Sequence, residues 1–158
     1  MSRLHVEASA VINASPKAVY DVFSDYRVGH NAILPKPYFR EMTVVEGGKG
    51  AGTVFDLHME VFGTKAFYHQ IVSEPEPGRV LVETDQEQGV VTTFTVDPVE
   101  GGSKTLVTIA TDMPAKRGLA GLVEKLINPP VMRWIYRKEL GNLEAYLANA
   151  PQAEEAAS

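Results

Sequence analysis

The middle of this sequence is a succession of short extended segments separated by turns. The dividers are rich in glycine and proline, as in Gly47-Gly48-Lys49-Gly50 and Pro75-Glu76-Pro77-Gly78. Such residues accept turn geometry, and strands separated by them predict an antiparallel meander. The predicted strands are Arg40–Glu46, Gly52–Phe62, Lys65–Ser73, Arg79–Thr84, Val90–Val96 and Lys104–Asp112.

A further strand and two helices are predicted before the meander. Leu4 to Ile12 alternates between apolar and mostly polar or small side chains, which is the period of a half-buried strand. A helix is predicted from Pro16 to Ser24, with Ser15 as its N-cap and Pro16 at its first position. A second short helix, or an ordered loop, is predicted between Tyr26 and Leu34.

The last third of the chain has helical composition. Apolar residues recur at three-and-four spacing on both sides of Pro129-Pro130, and these prolines are expected to kink or split the helix. We therefore expect Val131 to Ala148 to pack on the sheet and Leu119 to Ile127 to form a possible lid. Residues 1–148 are predicted to be one domain, and residues 149–158, small and acidic, a disordered tail.

Composition excludes several classes of protein. The chain has 158 residues, 44% of them apolar and 22% charged, which is typical of a globular domain. The net charge of -5 makes nucleic acid and anionic lipid unfavourable general partners, so no nucleic-acid partner is predicted.

Cysteine is absent, which excludes disulfides and thiolate chemistry. No signal-like or membrane-spanning apolar run occurs, and cytoplasmic residence is expected by elimination.

One stretch carries a family resemblance. Residues 12–26, INASPKAVYDVFSDY, resemble the opening pattern of the START-related, pollen-allergen-like superfamily (SRPBCC), with the polyketide cyclase/dehydrase branch nearest. The resemblance covers about residues 4–148. It implies an α+β helix-grip fold, in which a strongly curved antiparallel sheet of about seven strands wraps around a long C-terminal helix. The superfamily includes carriers, cyclases, receptors and chaperone activators, so the resemblance does not fix one activity.

A helix lying across a curved sheet leaves a cavity between the two surfaces. We expect this cavity to hold an apolar small molecule, such as a lipid, a polyketide-like compound or an aromatic metabolite. A packed core without a ligand is the alternative. The predicted lining is apolar and partly aromatic: Tyr26, Phe55, Leu57, Met59, Phe67, Phe94, Val107, Met132, Tyr136 and Leu140.

Three side chains are candidates for proton transfer. His69 shares a strand face with Phe67 and is predicted to point inward, either as a catalytic group or as a satisfied core histidine. Tyr68 would then point outward, and it becomes a candidate only if the facing of this strand is reversed. His30 lies in the short-helix region that caps the cavity in this fold, where it could polarise a ligand carbonyl or cap a loop.

No metal or cofactor is predicted. Asp56, His58 and Glu60 share one strand face, but neighbouring positions on that face are about 6.6 Å apart, which makes joint chelation awkward. Three functions stay open in this order: a carrier or sensor of a hydrophobic molecule, a metal-free cyclase or dehydratase, and a protein-interaction or chaperone-type module. The sequence leaves the oligomeric state open.

Overall fold

The computed structural model describes residues 3–115 and 118–149, and for 118–127 it describes the backbone alone. The predicted α+β helix-grip fold is confirmed. One antiparallel sheet has the strand order β1-β7-β6-β5-β4-β3-β2, so that β1 and β2 form its edges. The elements in chain order are β1 Arg3–Ile12, α1 Pro16–Ser24, α2 Gly29–Ile33, β2 Phe39–Glu46, β3 Val54–Val61, β4 Thr64–Glu76, β5 Val80–Asp85, β6 Val90–Val99, β7 Lys104–Pro114 and α3 Gly118–Asn149.

The meander forms because consecutive strands are joined by tight turns. Between β3 and β4 the turn residues are Phe62 and Gly63, with φ of 50° and 82°. Two successive residues in this left-handed region match the right-handed twist of a two-stranded hairpin. The turn fixes the register, in which Val61 lies opposite Thr64 and Phe55 lies opposite Gln70.

The first helix, α1, begins and ends where the sequence predicts. The Ser15 side chain accepts a hydrogen bond of 3.2 Å from the backbone N–H of Ala18, and Pro16 occupies the first turn. This side-chain cap satisfies one of the backbone donors that a helix start leaves free. Val19 and Phe23 are fully buried, so the apolar face of α1 packs into the domain interior.

The long helix α3 lies against β1 and contacts α2. Of the two effects expected of Pro129-Pro130, the split is wrong, because α3 continues through both prolines as one helix, and the kink stays a prediction. The φ angle of proline suits a helix, so the cost is mainly two lost N–H donors and crowding against the preceding turn. Val131 and Met132, immediately after the prolines, pack against the core and help to hold this part of the helix in place.

The core lies between the inner face of the sheet, α1 and the second half of α3. It contains the aromatic rings of Phe23, Tyr26, Phe55 and Phe94 together with Leu140, all at most 3% exposed. Across the part of the chain that the structure describes, no helix has the length and apolarity needed to span a bilayer. The predicted tail beyond Asn149 lies outside the described residues, as do the side chains of the predicted lid.

Candidate ligand cavity

A small cavity lies between the inner face of the sheet and α3. Its volume is about 60 Å³. This is room for a few water molecules, and it is well below the roughly 300 to 1,000 Å³ of an open small-molecule site. The lining comes from α2, the residue that follows it, six strands and α3: His30, Leu34, Phe39, Met42, Phe55, Leu57, Met59, Tyr68, Gln70, Glu83, Val90, Thr92, Phe94, Thr111, Met113, Met132, Tyr136 and Glu139.

Methionine is concentrated in the wall of this cavity. The sequence contains five methionines, and four of them, Met42, Met59, Met113 and Met132, line the cavity. An unbranched thioether side chain has several accessible rotamers and fills irregular space. A wall built from four such side chains can change shape at low cost.

One wall carries three buried ionisable side chains. Nε2 of His30 lies 3.7 Å from Oε1 of Glu83 and 3.6 Å from Oε1 of Glu139. All three side chains are at most 8% exposed. One imidazole therefore faces two carboxylates in a poorly solvated region, where uncompensated charge is costly.

The imidazole of His30 is held in a fixed orientation. Its Nδ1 donates a hydrogen bond of 2.7 Å to the backbone carbonyl of Phe23, which directs Nε2 towards the two carboxylates. The ring of Tyr26 stacks on His30 with 4.7 Å between centroids, and its hydroxyl donates a 2.9 Å hydrogen bond to Oε1 of Glu83. Tyr26 thus supports two of the three ionisable groups.

Burial and mutual charge change the proton affinities of this cluster. Burial raises the pKa of Glu83 to about 7, although His30 and the Tyr26 hydroxyl oppose the shift. Burial alone would lower the pKa of His30, but the nearby Glu139 and Glu83 carboxylates raise it above the ordinary histidine value. Glu83 consequently exchanges its proton near neutral pH, which is a property of groups in acid–base sites and also of some structural ion pairs.

Two oxygen atoms in the cavity wall lack hydrogen-bond partners among the described residues. They are Oε1 of Glu139 and Oε1 of Gln70, and both side chains belong to residues that are at most 3% exposed. Buried polar atoms are nearly always paired, and an unpaired one costs roughly 1 to 3 kcal/mol. These two atoms are therefore the least satisfied part of the site.

Hydroxyl groups line another part of the cavity. Oγ1 of Thr92 lies 2.8 Å from Oγ1 of Thr111, which in turn is hydrogen-bonded to the hydroxyl of Tyr136. Burial raises the pKa of Tyr136 far above its ordinary value, with an opposing contribution from Thr111. Tyr136 therefore keeps its proton, and the chain of hydroxyls joins α3 to β6 and β7.

Six of the ten residues predicted to bind a ligand line this cavity. They are Phe55, Leu57, Met59, Phe94, Met132 and Tyr136. Three others, Tyr26, Val107 and Leu140, are buried in the core beside the cavity without lining it. Their ligand-binding roles stay predictions.

The facing predicted for β4 is wrong. Phe67 is 63% exposed and the His69 side chain is 57% exposed, whereas Tyr68 lines the cavity. Residues directly opposite each other in an antiparallel pair share a face. Because Leu57 lies opposite Tyr68 and points inward, Tyr68 must point inward and its neighbours outward.

The misassigned residues have their own contacts on the outer face of the sheet. Nδ1 of His69 lies 2.6 Å from Oδ1 of Asp56, and this hydrogen bond raises the pKa of His69. The Phe67 ring stacks on His58 with 4.3 Å between centroids. Neither residue touches the cavity, so His69 and Phe67 are no longer candidates for its chemistry.

Glu83, Glu139 and Gln70 were not predicted from the sequence, although signals for two of them were present. Leu81 lies opposite Phe94 in the β5–β6 pair, so an inward Phe94 places Leu81, and with it Glu83, on the inner face. Glu139 follows Tyr136 by three residues, which is helical spacing for a shared face. Charged residues are rarely fully buried, and this tendency hides them from pattern analysis.

The described residues, 3–115 and 118–149, contain no cluster of three or more His, Asp or Glu side chains arranged to hold a metal ion.

A curled antiparallel sheet over a long terminal helix, with a small mainly apolar cavity between them, defines the helix-grip class. The family model described as polyketide cyclase / dehydrase and lipid transport matches residues 3–148. The chain belongs to this family.

Solved structures share this fold over nearly their whole length. The KanY protein, solved by NMR, is 27% identical with a TM-score of 0.81, over 94% of this chain and 100% of KanY. The Zhui aromatase/cyclase of a Streptomyces species is 15% identical with a TM-score of 0.75, over 97% and 98%. A START superfamily protein of Mycobacterium smegmatis is 16% identical with a TM-score of 0.69, over 91% and 97%. No curated protein sequence matches the chain.

Proposed function

We propose that this protein binds a mainly apolar small molecule in the cavity between its sheet and α3, as a carrier or sensor. The observation that carries the proposal is the cavity wall itself. It combines four methionines and the rings of Phe55 and Phe94 with a few buried polar groups. A mainly apolar lining with a small number of placed polar groups is the usual composition of a small-molecule site.

The small volume of the cavity requires that the ligand displace side chains on entry. The methionines are suited to this, since rotation about their side-chain bonds makes space. The one hydrogen bond recorded to them, from Nδ2 of Asn128 to Sδ of Met113 at 3.9 Å among the described residues, is long and weak. A core selected only for stability would instead favour side chains with well-defined rotamers, such as leucine and isoleucine. The wall therefore favours an adaptable site over a packed core.

Native mass spectrometry of the purified protein tests this proposal. The expected result is a fraction of the protein carrying a bound small molecule, which is released on denaturation and can then be identified. Protein that is always empty, and that binds no compound when incubated with a lipid or aromatic metabolite extract, contradicts the proposal. Phe55→Ala provides a matched comparison, because it alters the wall itself.

A second candidate function is metal-free proton transfer, as in a cyclase or dehydratase. The buried cluster of His30, Glu83 and Glu139 favours it, because a carboxyl group with a pKa of about 7 can both accept and donate protons at neutral pH. In such a reaction one group would take a proton from a carbon next to a carbonyl. A second group of the cluster, in its protonated form, would donate a proton to the departing hydroxyl, which leaves as water.

The Zhui protein is described as an aromatase/cyclase, but at 15% identity its likeness supports the fold alone. The enzymatic proposal is tested by incubating the protein with a compound recovered from it and following conversion. If it is an enzyme, Glu83→Gln abolishes turnover while retaining binding, and His69→Ala on the outer face leaves turnover unchanged. Recovery of the compound unaltered supports the carrier or sensor function.

A further inference from the structure

The side-chain atoms of the cavity wall that lack a hydrogen-bond partner among the described residues are both acceptor oxygens. Two carboxylates, from Glu83 and Glu139, and the amide oxygen of Gln70 face or line the same small space. Few donors reach these oxygens. The Tyr26 hydroxyl donates a hydrogen bond to Glu83, whereas Nε2 of His30 lies beyond hydrogen-bond distance of either carboxyl group. Oε1 of Glu139 and Oε1 of Gln70 have no donor among the described residues.

Two of the three buried side-chain atoms that lack a partner among the described residues lie in the cavity wall, and the third is Nε2 of His58 outside it. Both unpartnered oxygens belong to residues that are almost fully buried, so bulk solvent does not satisfy them. They also come from different elements, Gln70 from β4 and Glu139 from α3, and they meet only because the fold brings the two surfaces together. A group that entered the cavity with a hydrogen to donate would satisfy an acceptor that the protein leaves unpaired.

We propose that the ligand carries an O–H or N–H group and donates a hydrogen bond from it to Oε1 of Glu139 or Oε1 of Gln70. This inference rests on the proposed function and names the chemical class of its ligand: an apolar body with a hydrogen-bond-donating end, either a hydroxyl or an ammonium group. It also states which ligands are disfavoured.

Ligands that offer only hydrogen-bond acceptors cannot pair with the two unpartnered oxygens of this cavity. A ketone or ether oxygen would add one more acceptor beside Glu139 and Gln70, and a carboxylate would bring a buried negative charge next to two acidic side chains, Glu83 and Glu139. Among the described residues, only one imidazole, that of His30, faces these two carboxyl groups. Anionic ligands are therefore expected to bind most weakly, and donors to bind most tightly.

Four naphthalene compounds of nearly equal size test the proposal on the intact protein. They are 2-naphthol, 2-(aminomethyl)naphthalene, 2-methoxynaphthalene and 2-naphthoate, with affinities measured by calorimetry at pH 7. At least one donor compound is expected to bind about 10- to 100-fold more tightly than 2-methoxynaphthalene, the effect of one hydrogen bond to a charged or buried acceptor. The naphthol and the amine distinguish a hydroxyl ligand from a cationic one.

Variants locate the effect within the cavity. Gln70→Leu removes one of the two proposed acceptors, and Glu139→Gln replaces a carboxyl acceptor with a weaker amide one. Each variant should therefore reduce the ratio of donor affinity to methoxy affinity. Glu144→Gln, an exposed change on the same helix, serves as the matched control and should leave the ratio unchanged. The ratio compares two ligands on one protein, so a general loss of stability does not imitate the effect.

The outcomes separate this inference from the proposed function. Equal binding of 2-naphthol, the amine and 2-methoxynaphthalene overturns the inference and leaves the function as a hydrophobic binder intact. Preferential binding of 2-naphthoate overturns it as well. If none of the four compounds binds and native mass spectrometry also finds no small molecule, the proposed function fails and the inference fails with it.

Discussion

Nε2 of His30 lies 3.6 Å from Oε1 of Glu139, and both side chains are about 3% exposed. This distance is too long for a hydrogen bond, so the two groups attract each other without satisfying each other. A buried ion pair of this quality contributes little to stability, because the cost of removing two charges from water is not fully offset. We therefore assign this contact to the proposed site.

The first prediction concerns pH and Glu83. The folded protein holds the Glu83 proton up to about pH 7, whereas the unfolded chain releases it near the ordinary value of 4.5. The folded state therefore binds more protons between these values, and the free energy of unfolding falls as pH rises through this window. The expected loss is about 3 kcal/mol. His30 acts in the same direction, since its raised pKa gives stability that is lost as pH rises through the folded value.

Urea unfolding at pH values between 5 and 8 measures this effect. Glu83→Gln removes the titrating group and should flatten the pH dependence, while Glu144→Gln, exposed on α3, should retain the full slope. A Glu83→Gln profile as steep as that of the unaltered protein would show that Glu83 is already ionised in the folded state at pH 5.

The second prediction compares two phenylalanines on paired strands. Phe55 is 1% exposed on the inner face, so Phe55→Ala should destabilise the protein by about 3 to 5 kcal/mol. Phe67 is 63% exposed on the outer face, and Phe67→Ala should cost less than about 1 kcal/mol. Thermal and urea unfolding give both values. Equal losses for the two variants would contradict the facing of β4.

The third prediction concerns the start of α1. Ser15→Ala removes the side-chain oxygen that accepts from the N–H of Ala18, and it should lower the free energy of unfolding by about 1 kcal/mol. Ser15→Asp should retain most of the stability, because aspartate also caps well. If Ser15→Ala and Ser15→Asp unfold at the same urea concentration as the unaltered protein, the side-chain cap contributes nothing.

Much of the fold could be predicted from the sequence, since its local signals agree with one another. The Ser15-Pro16 pair marks the start of α1, and the turn residues divide the meander into the observed strands. Prediction was wrong where two signals competed. Both faces of β4 contain apolar residues, with Phe67 on one face and Tyr68 on the other. Only the pairing with β3 decides between them.

The candidate site was harder to predict than the fold. The aromatic and aliphatic lining follows from strand alternation, which places Phe55, Leu57 and Met59 on one face. The polar residues were missed although strand alternation and helical spacing place Glu83 and Glu139 on inner faces, because they belong to a residue type that normally stays in water. Their proximity to His30 arises from three elements distant in sequence. A local sequence pattern carries no information about which distant residues lie close together in the folded protein.

The central claim is that the cavity accepts a ligand by rearranging its methionine wall. Protein labelled with ¹³C at the methionine methyl groups, titrated with 2-methoxynaphthalene or 2-naphthol and followed by NMR, tests this most directly. The account predicts that the methyl signals of Met42, Met59, Met113 and Met132 shift together and saturate with one dissociation constant. Methyl signals that stay unchanged at saturating concentrations of both compounds, or a shift confined to one of the four methyl groups, would contradict it.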